Sequence, residues 1–440
     1  MFNYVISHFN SIYTLGREVK IGYGNEGNEQ VQIFRCDGSF FSSGQSIPEV
    51  VEWKEWKGRS VPILFGSGSN EFITEKDGVL TVESDIIAGA FYFLSGWQEH
   101  YSEKRDRHGR FPYEASIQKK LGIATFPVVN YYFDVLRTAV EKAYGISLSP
   151  RKPNGHAFGL CLTHDVDHCE SAWKIAGIDA VKRGDVFTPW KLVFRKLLGR
   201  DVWFNFEEVM SEEEALGAHS TFFFIPARGK QNGYPNADYD ITSGKMRAVM
   251  SEMQRRGFEV ALHGSFGSHE NSGQLREEKS KLPAVVAGNR FHFLKWDATK
   301  SGEAIESAGL DYDSTLGFAG HVGFRHAYCH PFRPFNLAEN RPFNFLEIPL
   351  NVMDTTYWLK NYMGLDLSEM PASLDEVRSE VECFGGCMTL LWHNNTFSPY
   401  KFSGWKGVYL EFLQHCKQKE AGFFTAKEIC EMYAGLMQSK

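Results

Sequence analysis

The sequence predicts an α/β protein in which a (β/α) barrel of seven or eight strands follows a smaller α/β domain. Three observations predict this. The chain has 440 residues, which is long for one domain. Helical segments repeatedly stop at a glycine, as at Gly217, Gly257 and Gly309, and an apolar run follows, which is typical of repeated βα units. Polar residues follow these apolar runs, as is typical where parallel strands end at the rim of a barrel.

Two domains are expected, one at 1–150 and one at 155–440. In the first, strands are predicted at 31–36 and 60–65, a helix after Asp85, and a second helix near 130–144. The segment 147–155, with two prolines and a final glycine, is the predicted boundary. The charged turn at 106–111 is interpreted as a solvated loop rather than as a segment that reaches over the second domain.

The second domain carries the regular pattern of alternating elements. Strands are predicted at 160–166, 220–226, 258–263, 290–294, 310–314, 345–350, 387–393 and 423–425. Helices are predicted at 206–216, 245–256, 301–308 and 405–420. Seven or eight strands of this kind can close a barrel.

Composition excludes several classes of protein. The net charge of -7, without a basic stripe, argues against nucleic acid as a partner. The sequence shows neither a secretory leader nor a transmembrane segment, so a cytoplasmic protein is expected. Aromatic residues make up 15% of the chain, which suits a sugar-binding cleft as well as a large core. The sequence carries no information on the oligomeric state.

Candidate site residues gather at the ends of the predicted strands. They are Asp165 and Asp167 on the first strand, His263 on the third, Arg290 and His292 on the fourth, Asp313 on the fifth, and His393 on the last long one. A single histidine at a strand end is more often structural than catalytic. Acids, histidines and an arginine on one rim instead suit a mononuclear metal hydrolase, in which the metal takes nitrogen and oxygen ligands.

Residues 157–440 resemble the polysaccharide deacetylase family, carbohydrate esterase family 4, which has a distorted, NodB-homology barrel. The resemblance rests on the order of the motifs: Leu162-Thr163-His164-Asp165-Val166-Asp167, a histidine motif after the third strand, an arginine on the fourth, and Leu391-Trp392-His393. It implies that Asp165 is the catalytic base, Asp167 and His263 are metal ligands, Arg290 orients the base and His393 is the general acid. The two-domain layout is similar to deacetylase-like proteins that accompany bacterial surface-polysaccharide synthesis.

The second histidine motif departs from the family pattern. The family places histidines at i and i+4, but here Gly267 stands four residues after His263. His269, six residues after His263, and His292, two residues after Arg290, are both candidates for the third ligand. Without a third ligand the site would hold no catalytic metal. A second open question is Asp313, which can either hold His393 or cap the turn at 311–315.

The sequence therefore predicts a metal-dependent amide hydrolase that removes an N-acetyl group from an amino sugar in an intermediate of a bacterial surface polysaccharide. The expected cofactor is one divalent metal, zinc first, with cobalt, nickel or iron as alternatives. Hydrolysis of another, cyclic amide is an alternative reaction. A metal-free carbohydrate-binding protein of glycan assembly is an alternative of a different class. Arg325 and Arg333, in a long loop, are expected to suit an acidic sugar or a nucleotide-diphosphate carrier.

Overall fold

The computed structural model describes residues 1–14, 16–24, 29–283 and 285–436. The N-terminal part contains the helices α1 (Phe2–Ile12), α2 (Ser39–Ser43), α3 (Ile86–Leu94), α4 (Trp97–His100), α5 (Ile117–Leu121) and α6 (Val128–Tyr144). Its strands are β1 (Tyr13–Thr14), β2 (Ile21–Tyr23), β3 (Val31–Ile33), β4 (Glu52–Trp56), β5 (Arg59–Ile63), β6 (Ile73–Lys76), β7 (Val79–Val82) and β8 (Ser149–Pro150).

The N-terminal part is built on a small mixed sheet in the order β2-β3-β7-β6. Its β2–β3 and β3–β7 pairs are parallel and its β6–β7 pair is antiparallel. The Asp85 carboxylate accepts a hydrogen bond from the Ala88 N–H at 2.8 Å, which caps α3 as the sequence predicts. Helix α6 packs against β3 and β7 of this sheet, and α3, in which every residue is buried, packs against α6.

The C-terminal part alternates strands and helices. Its strands are β9 (Phe158–Val166), β10 (Thr221–Phe224), β11 (Lys230–Gln231), β12 (Tyr234–Pro235), β13 (Glu259–Gly264), β14 (Gly288–Phe291), β15 (Tyr312–Asp313), β16 (Phe335–Asn336), β17 (Arg341–Pro342), β18 (Leu346–Glu347), β19 (Leu350–Met353), β20 (Cys387–Leu391) and β21 (Ala421–Phe424). Its helices are α7 (Ala172–Lys182), α8 (Phe187–Leu197), α9 (Phe206–Leu216), α10 (Gly244–Arg255), α11 (Ser272–Lys281), α12 (Ser301–Ser307), α13 (Asp354–Trp358), α14 (Met370–Phe384), α15 (Trp405–Gln418) and α16 (Ala426–Ala434).

The principal sheet closes into a distorted barrel. Its parallel strands run in the order β18-β15-β14-β13-β10-β9-β20-β19, and β21 pairs with the first half of β9. The two ends of this order, β18 and β19, are consecutive in the chain and only Ile348 and Pro349 separate them. One extended segment therefore has β15 on one side and β20 on the other, which closes the ring. The predicted fold class, a (β/α) barrel after a smaller α/β unit, is confirmed.

A buried ion pair joins the two parts of the molecule. The Arg325 guanidinium donates to both carboxylate oxygens of Glu99 at 2.6 and 2.5 Å, and both side chains are buried. Arg333 lies at the same boundary, where its carbonyl accepts a hydrogen bond from the Tyr4 hydroxyl at 2.6 Å. From the sequence, both arginines were expected to suit an acidic sugar or a nucleotide-diphosphate carrier. The Arg325 guanidinium is instead buried in the ion pair with Glu99. The Arg333 side chain donates to the Phe343 carbonyl at 3.3 Å, and the expectation for it stays a prediction. Within the described residues, no helix has the length and apolarity needed to cross a membrane.

Candidate metal centre

Strand β9 delivers Asp165 to the rim of the barrel, where Arg290 fixes it. The Arg290 guanidinium is fully buried and donates to Asp165 Oδ1 and to Thr163 Oγ1, each at 2.9 Å. Its other nitrogens donate to the carbonyl and hydroxyl oxygens of Ser314 at 2.8 and 2.9 Å. The guanidinium also lies 4.4 Å above the Phe223 ring. Because all sides of Arg290 are occupied, the Asp165 carboxylate is held in one orientation.

Three further side chains converge beside Asp165. The Nε2 atom of His263 lies 3.4 Å from Asp167 Oδ1 and 3.5 Å from Asp165 Oδ2. The Nδ1 atom of His292 lies 3.5 Å from the same Asp167 oxygen and 3.3 Å from His263 Nε2. Asp167, His263 and His292 thus place one potential ligand atom each within 4.8 Å of one another. Two histidines and one carboxylate form a donor set that suits a divalent metal such as zinc.

Hydrogen bonds at the far side of each ring decide which nitrogen faces this centre. His263 Nδ1 lies 2.7 Å from the Arg290 carbonyl oxygen, and His292 Nε2 lies 3.0 Å from the Pro235 carbonyl oxygen. A carbonyl oxygen only accepts, so these two nitrogens carry the protons. In their neutral forms His263 and His292 therefore present lone pairs to the centre, with orientations fixed as for metal ligands.

The electrostatics of the centre favour a cation. Burial raises the pKa of the Asp167 carboxyl, but His292 and the other nearby histidines outweigh it and hold that pKa well below its usual range. Burial lowers the pKa of His263, but the Asp165 carboxylate and Asp167 outweigh it and raise that pKa. The carboxylates thus attract positive charge between them. Burial lowers the pKa of His292 to about 4, which keeps this ring neutral and able to ligate.

The backbone turns sharply directly after His292. Phe293 and Leu294 are consecutive residues with φ of 61° and 53°, in the left-handed region that non-glycine residues rarely adopt. Such conformations cost free energy and persist only where neighbouring contacts hold them. The Arg110 guanidinium provides one such contact, donating to the Phe293 carbonyl at 2.8 Å.

Of the two histidines that the sequence left open, the structure brings His292 to the centre and not His269. His269 lies in a short 3-10 helix, Ser268–Glu270, where its ring faces Phe291 with centroids 6.2 Å apart. It is outside the group of ligand atoms that share the centre. Gly267 precedes this helix with φ of +93°, a left-handed conformation that favours glycine, and it has no side chain that could ligate a metal.

His393 faces the centre from the opposite side, supported by Asp354. His393 Nδ1 lies 2.6 Å from Asp354 Oδ1, and its Nε2 lies 3.9 Å from Asp167 Oδ2. The Asp354 carboxylate also accepts the His393 backbone N–H at 2.7 Å. Burial lowers the pKa of His393, but the adjacent Asp354 carboxylate outweighs it and raises the pKa to about 10. His393 is therefore a charged donor at neutral pH.

Asp354 was missed in the sequence, which offered Asp313 as one partner for His393. Asp313 instead takes the other role left open for it, because its Oδ2 accepts the Thr315 N–H at 2.9 Å within the turn. Its Oδ1 accepts from the Asn289 side chain at 2.7 Å, and the residue is fully buried. The available signal for Asp354 was its position directly after the apolar run of β19, the same pattern that marks the other strand ends.

A cavity of about 230 Å³ opens onto these residues. It is lined by Leu294, Met353 and Tyr362 from the C-terminal part and by Arg107, His108 and Arg110 from the N-terminal part. The interpretation of 106–111 as a solvated loop is therefore wrong, because the loop reaches over the barrel. The physical reason is a set of polar contacts, in which Arg110 donates to the Tyr362 hydroxyl at 2.8 Å and Lys295 donates to the His108 carbonyl at 2.7 Å.

Comparisons with known proteins leave the family of the C-terminal part open. A family of unknown function, DUF7033, matches residues 2–145. No curated protein matches the chain. Among solved structures, a protein assigned as a polysaccharide deacetylase from Mycobacterium smegmatis is similar, with 14% identity and a TM-score of 0.43 over 66% of this chain and 94% of that one. Puue allantoinase is similar at 12% identity and a TM-score of 0.43, over 65% and 94%. The resemblance of 157–440 to carbohydrate esterase family 4 stays a prediction.

Proposed function

We propose that this protein is a metal-dependent amide hydrolase that removes an N-acetyl group from an amino sugar in an intermediate of a bacterial surface polysaccharide. One observation carries the proposal. The ligand atoms of Asp167, His263 and His292 share one centre, and two different proton-handling groups flank it. Asp165, held by Arg290, lies on one side and His393, held by Asp354, lies on the other. A base and an acid across a metal site are what hydrolysis of an amide needs.

The residues present fit a divalent metal. Asp167 Oδ1 is buried and accepts no hydrogen bond among the described residues, so it has an unsatisfied lone pair directed at the centre. His263 and His292 each offer the nitrogen that their outer hydrogen bond leaves unprotonated. Zinc is commonly held by two histidines and a carboxylate in hydrolases. Bound there, a metal would supply Lewis acidity to a water molecule and to the amide carbonyl.

The chain's own residues would handle the protons. Asp165 accepts a hydrogen bond from Arg290 and is placed to accept a proton from the attacking water. His393 is charged and is placed to donate a proton to the departing nitrogen, because its Nε2 points to the centre while Asp354 holds Nδ1. An amide nitrogen leaves only slowly without such protonation, so His393 would set the rate of bond cleavage.

The position of His292 argues against the alternative of a metal-free carbohydrate-binding protein. That hypothesis rested on Gly267, a residue without a side chain at the position, four after His263, where the family has its next histidine. His292, the residue directly after strand β14, offers a nitrogen at the same centre, which supports a set of three protein ligands. The N-acetylated sugar itself is inferred from the family resemblance and from a cavity that is lined by both polar and apolar side chains.

Release of acetate tests the proposal. Protein loaded with zinc, cobalt, nickel or iron(II) would be incubated with N-acetylated amino sugars, both free and in oligosaccharides, and free acetate would be measured. We expect acetate release that a chelator abolishes and that Asp165→Asn removes while metal stays bound. Absence of acetate with every metal and sugar would refute the deacetylase assignment, and ring opening of a cyclic amide by the same preparation would identify the alternative reaction.

A further inference from the structure

A helical hairpin formed by α7 and α8 exposes an unusual amount of apolar surface. Along α8, Phe187 is 84% exposed, Trp190 77%, Phe194 63% and Leu197 80%. Their spacing of three, four and three residues places them along one side of the helix. Large aromatic side chains in such a row are rarely left in water, so this side of α8 has the character of a binding surface.

The opposite side of α8 is the one that packs on the protein. Leu192 is the buried residue of this helix, and it belongs to a small cluster with Ala172, Ala176 and Trp203. Within the hairpin, Gly177 of α7 lies beside Pro189 of α8, which allows the two helices to approach closely. The exposed row is therefore not the side of α8 that packs on the core, because the core contact of this helix is made by Leu192 on the opposite side.

The charge of the hairpin is opposite to that of the rest of the chain. Residues 172–200 contain seven basic residues and two aspartates, a net charge of +5, whereas the whole chain carries -7. The remaining residues therefore carry -12. Lys191 and Arg195 lie along one border of the apolar row and are exposed. A helix with aromatic and aliphatic residues on one side and bordering cations is typical of binding in the plane of a membrane interface.

We propose that the hairpin of α7 and α8 binds the surface of an anionic lipid bilayer, with Phe187, Trp190, Phe194 and Leu197 entering the interface and the basic residues contacting lipid headgroups. Charge argues against a second copy as the occupant, since two hairpins of net +5 repel each other. Helix α7 begins five residues after Asp167, so the hairpin follows directly on the strand end that carries this candidate ligand. This inference does not depend on the proposed reaction.

Flotation with vesicles tests the inference. The full-length protein would be mixed with vesicles of phosphatidylcholine alone or of phosphatidylcholine with phosphatidylglycerol, and the floated fraction would be measured. We expect binding to the anionic vesicles that the double variant Trp190→Ser/Phe194→Ser abolishes. Val50→Ser/Trp53→Ser is the matched control, because both residues are exposed apolar side chains far from the hairpin in sequence, and it should float as wild type does.

Charge reversal gives an independent readout. Lys191→Glu/Arg195→Glu should weaken partitioning by about tenfold or more, because each basic residue near an anionic surface contributes about a fivefold increase in binding. Lys76→Glu/Lys104→Glu makes the same change in net charge elsewhere and should have little effect. The inference would be overturned if the wild-type protein floated with neither kind of vesicle. A dimer in solution that Trp190→Ser/Phe194→Ser converts to a monomer would also overturn it, because a second copy would then occupy the surface.

Discussion

Replacing His292 by alanine should remove tight metal binding while leaving the fold intact. His292 contributes one of three potential ligand atoms, and its Nδ1 lies 3.5 Å from Asp167 Oδ1 and 3.3 Å from His263 Nε2. Its other nitrogen donates to a carbonyl outside the centre, so the imidazole is held for ligation in advance. Alanine therefore leaves only two protein ligands, fewer than a catalytic zinc site normally has.

The size of the effect follows from the ligand count. Loss of an outer hydrogen-bond partner of a ligand alone costs about 10- to 100-fold in metal affinity. Loss of His292 itself should therefore weaken affinity by at least about 100-fold, or about 2.7 kcal/mol. The assay is competition for zinc against a chelator of known affinity, followed by elemental analysis of the protein. Circular dichroism would confirm that the variant is folded.

His269→Ala is the matched control. His269 is also a buried histidine of the same region, 6% exposed, but it lies outside the group of ligand atoms. Its replacement should lower stability without changing zinc affinity. If His269→Ala lost the metal and His292→Ala kept it, the assignment of the third ligand would be refuted.

Three further predictions concern the acid, the joint between the two parts of the molecule and pH. Asp354→Asn should lower kcat for acetate release by about 10²- to 10⁴-fold with metal content unchanged, because the Asp354 carboxylate no longer stabilises the charged form of His393. An unchanged kcat would show that His393 is not the general acid. Glu99→Gln should lower the free energy of unfolding by about 3–5 kcal/mol in chemical denaturation, since it leaves a buried arginine unpaired. Glu75→Gln is the control, because Glu75 forms an exposed ion pair with Lys142. This change should lower the free energy of unfolding by less than about 1 kcal/mol. Burial lowers the pKa of His8 to about 4 in the folded protein, whereas the unfolded chain has a His pKa of about 6.5. The stability that neutral, buried His8 contributes is therefore complete above a pH of about 6.5 and is lost as the pH falls toward 4. At pH 5 the loss in unfolding free energy should be about 2 kcal/mol. His8→Gln should reduce the loss of unfolding free energy between pH 7 and pH 5 by that amount, and an identical loss in both proteins would contradict the reasoning.

Local patterns in the sequence were sufficient to predict most of the barrel. The helix predicted at 206–216 is α9, Phe206–Leu216, because its apolar spacing and terminal glycine are both local signals. The sequence predicted a closed barrel but not which segment closes it. Only the pairing of β18 with β15 and of β19 with β20 shows that the segment around Pro349 completes the ring. The hairpin of α7 and α8 was missed because its apolar row faces away from the core and no strand follows it directly.

The site was predicted to the extent that strand ends determine it. Asp165, Asp167 and His263 meet because parallel strands end at the same rim. The choice of His292 over His269 depends on how the chain folds after β13 and β14, where Gly267, Phe293 and Leu294 have left-handed backbone conformations, and residue spacing does not encode such conformations. The loop at 106–111 comes from the N-terminal part, so its place over the cavity depends on tertiary packing that spacing does not encode.

The central claim is that one divalent ion binds Asp167, His263 and His292 together. Anomalous diffraction at the zinc edge from crystals grown with zinc tests it most directly. We expect one strong peak at about 2.0–2.2 Å from an Asp167 carboxylate oxygen, His263 Nε2 and His292 Nδ1. A zinc-containing crystal with no peak at that point, or with the peak ligated by His269, would contradict the account.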